Sequence, residues 1–280
     1  MAAPRIAVVG HVEHVTLGSA DGLPRPGDII HLRDARFLSG GGGGIAFAQL
    51  CRSDAEIHLF TAVGHDETGQ SVEASLRGTP ERVHIHAAVR AVNHPRVVVI
   101  VDEGGHRTIV VPHDPLQPAS TDPLPWSILA GCDAVYFTGT DPESLRLARA
   151  ARRLIVTARR ISALRAAAIA PDVILGSLSD PRENAPIEAY DPSPGALVLT
   201  DGPRPVRIVR RGSTALVEPP PAPARVVGDY GAGDSFAGAL TFFLAHGIDV
   251  EEACRRAGPY GAAVLRGINP LETQIPLFAP

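Results

Sequence analysis

The feature that most constrains the fold is a regular alternation of short apolar runs and Ala/Arg-rich segments over residues 133–202. The apolar runs are DAVYFTG, RLIVTAR, DVILGS and GALVLTDG, and PESLRLARAARR and ISALRAAAIA are two of the segments between them. Short apolar runs of this kind are typical of buried strands, and helices between them connect parallel neighbours by right-handed crossovers. The pattern predicts an α/β fold in which helices cover both faces of a mostly parallel central sheet.

The N-terminal half contributes strands of a second kind. RIAVVG predicts the first core strand, whereas the polar, proline-rich stretch that follows and the strand-like IIHL predict a flap. Three further β-rich runs, VHIHAAVRAV, PRVVVIVDEGG and HRTIVVP, are close enough together for antiparallel pairing. We predict one domain over residues 1–280, with a small β-strand lid formed by segments at about 12–38 and 83–111.

Composition excludes several classes of function. The 280 residues contain no lysine, so all 26 basic residues are arginine, and a P-loop lysine or a pyridoxal-phosphate Schiff base is excluded. The net charge of −4 argues against a nucleic-acid partner, and no apolar run is long enough to cross a membrane. Three scattered cysteines indicate neither a disulfide framework nor a zinc site. We therefore expect a soluble, cytoplasmic protein.

The segment GDYGAGDSFAGAL, residues 228–240, carries the strongest chemical signal. The small residues Gly231, Ala232 and Gly233 at a helix start leave backbone N–H groups free to bind an anion, above all a phosphate. Asp234 directly beside such a turn would repel that anion, and general-base catalysis on an attacking hydroxyl explains its presence. An ordinary helix cap is the alternative that the segment alone leaves open.

Several motifs together resemble the ribokinase-like (PfkB-type) carbohydrate kinases. GAGDSFAGAL is similar to their C-terminal signature, SGGGGGIAFAQL and VGHDETG to their N-terminal signature, and VDEGGHRTI to their strand-turn-strand. The motifs cover nearly the whole chain in the family's order. The resemblance implies a three-layer ribokinase-like sandwich and ATP-dependent phosphorylation of a hydroxyl on a sugar, nucleoside or related polyol, with Mg²⁺.

The resemblance also implies roles for individual residues. Asp234 falls on the catalytic base, and Gly231, Ala232 and Gly233 fall on the anion hole. The nucleotide site is assigned to Thr200, Gly202, Ser177, Gly258, Gly261 and Ala262, and magnesium to Asp180, the last residue of SLSD. The acceptor is expected at the glycine run, Gly42, Gly43 and Gly44, and we add Glu13, His14, Arg107 and Arg159 as candidates because the chain departs from the family pattern there.

The sequence departs from the family pattern at the acceptor site. Val15 and Gly44 stand where the family has an Asp and an Asn that hold the substrate's hydroxyls. Glu13 or His14 could replace them, although in a strand only one of the two faces the pocket. Arg107 and Arg159 are placed to meet a phosphate or carboxylate on the substrate.

Two other functions compete with a kinase. Gly41, Gly43 and Ala46 satisfy a G-x-G-x-x-A count, but a dinucleotide site needs a core strand directly before it, and HLRDARFLS is a poor buried strand. A ribokinase-like protein that binds a nucleotide or metabolite without transfer is the second alternative. Exposed lid strands are also compatible with a homodimer.

Overall fold

The computed structural model of the chain describes residues 3–77 and 80–279, so positions 1, 2, 78, 79 and 280 of the predicted domain lie outside it. Its main sheet has nine strands in the described part, in the order β13-β12-β11-β10-β9-β8-β1-β4-β5. The strands are β1 Arg5–Val9, β4 Glu56–Gly64, β5 Val83–Arg90, β8 Ala134–Phe137, β9 Leu154–Thr157, β10 Val173–Ser177, β11 Ala196–Asp201, β12 Arg204–Arg210 and β13 Ser213–Val217.

The strands from β11 to β5 run parallel to one another, whereas β12 pairs antiparallel with both β11 and β13. The apolar alternation over residues 133–202 thus becomes β8 to β11, as predicted. Because these strands are buried on both faces, each is apolar throughout rather than alternating.

Helices cover both faces of this sheet and give the predicted three-layer sandwich. Two apolar clusters, one on each face, contain the side chains that join the layers. One cluster includes Phe47, Phe236 and Phe242, and the other includes Leu145 and Leu164. The helices are α1 Gly41–Leu50, α2 Glu67–Arg77, α3 Pro142–Ala148, α4 Ile161–Ala167, α5 Ala232–Ala245, α6 Val250–Val264 and α7 Pro270–Thr273.

A separate four-stranded sheet forms the lid, in the order β3-β2-β6-β7. Its strands are β2 Glu13–Ser19, β3 Arg33–Gly40, β6 Arg96–Val101 and β7 Arg107–Val110. The segment IIHL, predicted to be strand-like, is not a strand in the structure. The lid strand β3 begins directly after it, at Arg33. Arg33–Gly40 forms the strand instead because its last residues, beginning with Leu38, are buried in the lid core with Val15 and Tyr230.

The lid prediction was wrong for Val83–Arg90, the first part of the segment 83–111. This run is β5, the edge strand of the main sheet, and pairs in parallel with β4. The reason is α2, which lies between β4 and β5 and makes a βαβ crossover that requires parallel strands. The antiparallel pairing predicted for the next two runs is confirmed by β6 and β7.

In the part of the chain that the structure describes, no helix is long and apolar enough to cross a membrane.

Candidate active site

The start of α5 forms the centre of the site. Gly231 caps the helix with φ of +82°, a left-handed conformation that glycine adopts without strain. A side chain at Gly233 would meet nothing within 4 Å, so the first turn opens onto free space. The N–H of Ala232 lies 3.4 Å from the backbone oxygen of Asp229, and the other N–H groups of this turn, together with the helix dipole, can bind an anion.

Asp234 lies in the same turn and points across to the glycine run at the start of α1. A Cβ added to Gly42 would lie 3.2 Å from Asp234 Oδ1. Burial raises the pKa of Asp234 to about 6, and Arg107 opposes that shift. A carboxylate with a pKa near neutrality is suited to accept a proton from a hydroxyl.

The glycine run brings α1 against the first strand of the main sheet. A side chain at Gly43 would lie 2.6 Å from the backbone oxygen of His11, and one at Gly44 would lie 3.1 Å from that of Ser39. Of the three glycines predicted to bind the acceptor, Gly42 thus borders Asp234, whereas Gly43 and Gly44 allow close backbone packing. The strand before the run is β3, which belongs to the lid and not to a βαβ unit, unlike a dinucleotide fingerprint.

The structure separates Glu13 from His14. Glu13 lies against Gly41 on the side of the site, and its pKa is raised to about 7 by burial and by the charge of Asp234. His14 points to the other face of the lid sheet, where its ring stacks on Phe37 with the centroids 4.0 Å apart. Glu13 lies against Gly41 and Asp234 against Gly42, so the two carboxyl groups lie near each other at the start of α1.

The position of the family's hydroxyl-binding Asp offers no polar group in this chain. Val15 is fully buried in the lid core with Tyr230. The Tyr230 hydroxyl lies 3.4 Å from the backbone nitrogen of Gly41, so this ring connects the glycine-rich turn to the lid.

Sequence analysis missed His11 and Gln117. His11 follows β1 and lies beside Gly41, with Nε2 3.6 Å from Glu13 Oε1, and burial lowers its pKa to about 3. The Gln117 amide nitrogen lies 3.3 Å from His11 Nδ1, while the Gln117 Oε1 is buried without a hydrogen-bond partner among the described residues. The position of His11 directly after the first-strand glycine was the available signal, whereas Gln117 comes from a loop without a motif.

A cleft of about 530 Å³ adjoins the site and is lined by charged side chains. Arg159, predicted to meet the substrate, bridges the carboxylates of Asp180 and Glu183. Asp180 also accepts hydrogen bonds from Arg182, and these arginine contacts lower the pKa of Asp180 to about 2. Arg107 lines the same cleft. Glu183 and Arg182 were not predicted, because neither belongs to the SLSD motif.

The predicted nucleotide residues lie in two groups. Ser177 lines the cleft and is in register with Thr200 on the adjacent strand, and Gly202 makes the turn between β11 and β12 with φ of +57°. Gly258, Gly261 and Ala262 lie in α6. There Gly261 packs against the backbone of Ala232, and Gly258 packs against Pro220.

The nine-stranded, mostly parallel sheet, the separate four-stranded lid and the carboxylate at the open start of α5 are an arrangement suited to a small-molecule phosphotransferase. A family model described as pfkB family carbohydrate kinase matches residues 3–274. The chain belongs to this family of kinases, which transfer a phosphoryl group to an alcohol acceptor. No curated protein sequence is significantly similar to it.

Solved structures support the fold. A putative ribokinase from Agrobacterium tumefaciens is 18% identical with a TM-score of 0.79, over 98% of this chain and 95% of that one. An adenosine kinase from Sinorhizobium meliloti is 18% identical with a TM-score of 0.77, over 96% of each chain. The Arabidopsis thaliana ribokinase complexed with ribose and ATP is 17% identical with a TM-score of 0.76, over 98% of this chain and 96% of that one.

Proposed function

We propose that this kinase uses Asp234 as general base to phosphorylate a hydroxyl of a sugar, nucleoside or related polyol with ATP. The observation that carries the proposal is the pairing of Asp234 with the open first turn of α5, opposite Gly42. A hydroxyl held between Asp234 and that turn would meet both a proton acceptor and an anion site.

In the proposed reaction Asp234 takes the proton of the acceptor hydroxyl while its oxygen attacks the γ-phosphorus of ATP. The bond from that phosphorus to the oxygen bridging to the β-phosphate breaks, and ADP leaves with the electron pair. The backbone N–H groups from Gly231 to Gly233 would stabilise the charge on the transferring group. Asp234 then holds the proton until solvent removes it.

The cleft beside α5 fits a polyphosphate. Arg107, Arg159 and Arg182 line it, and arginine forks match phosphate oxygens well. We propose that the triphosphate of ATP lies here and that its adenine ring lies toward α6, near Gly258, Gly261 and Ala262. Thr200, Gly202 and Ser177 would border the nucleotide on the strand side.

The residues of this cleft are suited to hold Mg²⁺ through water molecules rather than by direct ligation. Both oxygens of Asp180 already accept hydrogen bonds from arginine, so direct ligation would require breaking an ion pair. Mg²⁺ usually keeps several waters and binds mainly to substrate phosphates. We propose that Asp180 holds such waters, and that the ion would neutralise phosphate charge during transfer.

The acceptor class follows from the polar groups that replace the family's Asp and Asn. Ionised Glu13 and the Gln117 Oε1, which has no partner among the described residues, can both accept hydrogen bonds, so they favour a substrate that presents hydroxyl or N–H groups. Arg107 and Arg159 remain candidates for an acidic substituent, although each is already paired with a carboxylate.

A product screen tests this function. The protein is incubated with ATP and Mg²⁺ and pooled sugars, sugar acids, nucleosides and cyclitols, and phosphorylated products are detected by mass. We expect a product one phosphoryl group heavier than one pool member. ATP binding without product from any pool would contradict the proposed acceptor classes.

The alternative is a protein that binds nucleotide or metabolite and transfers nothing. The arginine contacts of Asp180 and the apolar Val15 favour it, because they change the magnesium and acceptor sites. The position of Asp234 beside an open helix start favours transfer. A homodimer through the lid strands and a cytoplasmic location stay predictions.

A further inference from the structure

A cluster of histidines lies far from the kinase site, at the opposite end of the parallel strands. Glu56 and His58 occupy the beginning of β4, whereas the active site lies where the strands end. His84 and His86 lie on the neighbouring edge strand β5, with His84 directly opposite His58 in the register. Glu56 and His58 form an E-x-H pattern, and His84 and His86 form an H-x-H pattern. Because alternate residues of a strand face the same side, these four polar side chains lie on one face of the sheet.

Three of these side chains converge at metal-ligand distances. The ligand atoms of Glu56, His58 and His84 all lie within 4.8 Å of one another. His58 Nε2 is 2.9 Å and His84 Nε2 is 3.9 Å from Glu56 Oε1. Tetrahedral ligands with bonds of about 2.0–2.1 Å stand about 3.3–3.4 Å apart, a value between these two.

We propose that Glu56, His58 and His84 bind a borderline transition-metal ion such as Zn²⁺, with solvent as the fourth ligand. Nitrogen-rich sites of this kind select Zn²⁺, Co²⁺, Ni²⁺ or Cu²⁺ over Mg²⁺ and Ca²⁺. The site is thus distinct from the magnesium chemistry of the kinase reaction.

His86 supports the central ligand. Its Nε2 lies 3.1 Å from His58 Nδ1, so it can accept a hydrogen bond from His58 Nδ1–H. Without an ion, the contact of His58 Nε2 with Glu56 Oε1 at 2.9 Å requires the proton on Nε2. An ion that takes the place of this proton leaves His58 protonated at Nδ1, where His86 can accept the hydrogen bond, an arrangement common around metal-bound histidines.

Two features shape how the ion binds. His58 is only 6% exposed, whereas the His84 side chain is 44% exposed and leaves a route from solvent. The His84 ring now stacks on His58 at a 25° interplanar angle, so binding in the plane of both rings requires His84 to rotate about χ2. Arg5 Nη2 lies 3.1 Å from Glu56 Oε2, and Arg5 Nε lies 3.0 Å from Oε1, so the guanidinium must move away from Oε1 when that oxygen binds the ion and can then hold Oε2 alone.

Cobalt titration of the tag-free, chelator-treated protein tests the proposal with two signals. Tetrahedral Co²⁺ gives visible d–d absorption, and Co²⁺ quenches nearby tryptophan fluorescence. The single tryptophan, Trp126, stacks on Phe60 at 5.1 Å, and Phe60 contacts His86 at 4.7 Å between centroids. We expect both signals to saturate at one Co²⁺ per chain and to be reversed by Zn²⁺.

Variants locate the ion. His84→Ala, at an exposed position where folding should be preserved, is expected to abolish both signals. His86→Ala should weaken binding about 10- to 100-fold, the usual effect of removing a supporting hydrogen bond. His106→Ala, at an exposed histidine in the lid, is the matched control and should bind as the wild type does. Absence of Co²⁺ binding, or unchanged binding by His84→Ala, would overturn the proposal.

Discussion

Arg107 of the lid strand β7 is joined to Asp229, two residues before the capping glycine of α5, by two contacts. Its backbone N–H donates to Asp229 Oδ1 at 3.0 Å, and its Nη1 lies 2.8 Å from Oδ2. The carboxylate that precedes the anion turn therefore holds the lid against the turn. It also keeps a guanidinium beside Asp234, where the positive charge favours the ionised base.

We predict that Asp229→Asn loosens this contact and raises the KM for the acceptor. The loss of a charged hydrogen bond of about 1–2 kcal/mol corresponds to roughly a 5- to 30-fold rise in KM. Steady-state kinetics with each substrate varied would measure it. Asp21→Asn, which removes another lid ion pair, to Arg33, is the control and should leave KM unchanged. An equal effect of both variants would mean that lid stability, not the Arg107 contact, sets KM.

The pH dependence of turnover should report Asp234. Because its pKa is raised to about 6, the base is protonated and inactive at lower pH. We predict that kcat/KM falls about tenfold per pH unit below about pH 6. Glu13→Gln should retain this limb. A limb near pH 4, typical of an unperturbed aspartate, would contradict the assignment.

The same pKa shift predicts a stability effect of the opposite sign to the activity effect. A carboxyl group whose pKa is higher in the folded than in the unfolded protein destabilises the folded state at any pH where the group is ionised. This destabilisation is absent at a pH below the pKa of the unfolded state, where the group is protonated in both states. Asp234→Asn should therefore raise the free energy of unfolding at pH 8 by at most about 3 kcal/mol, from 1.36 kcal/mol per pKa unit. The gain should disappear below pH 4. Thermal melts at both pH values would measure it, and equal gains at both would refute the electrostatic cause.

Arg159 bridges Asp180 and Glu183 at the mouth of the proposed phosphate cleft. We predict that Arg159→Gln raises the KM for ATP about 10- to 100-fold, because a charged hydrogen bond to phosphate contributes about 1.5–3 kcal/mol. Arg77→Gln, which removes an ion pair to Glu73 on the surface of α2, is the control. A wild-type KM for ATP in Arg159→Gln would place the triphosphate elsewhere.

Most of the fold could be predicted because the apolar runs from residue 133 to 202 are short, continuous and separated by helical segments. Val83–Arg90 could not be assigned to the right sheet, because the sequence of a β-rich run does not show which strand it will pair with. The assignment depended on α2, whose polar sequence around Glu67–Arg77 gave no clear helix signal.

The candidate site was predictable where backbone chemistry defines it. Asp234 and Gly231 are identifiable because an anion turn requires small residues at fixed spacing. The ion pairs that now involve Arg107, Arg159 and Asp180 join segments distant in the chain, so their partners depend on the tertiary structure. For the same reason, the free Gln117 Oε1 near His11 has no sequence signature.

The most direct test of the account is turnover by Asp234→Asn with the acceptor identified by the product screen. ATP binding, measured by calorimetry, should be retained, while kcat should fall by about 10² to 10⁴, the range for loss of a general base. Ser235→Ala, next to Asp234 but fully buried, serves as a control for the integrity of the helix start. A kcat for Asp234→Asn equal to that of the wild type would contradict the assignment of Asp234 as the base.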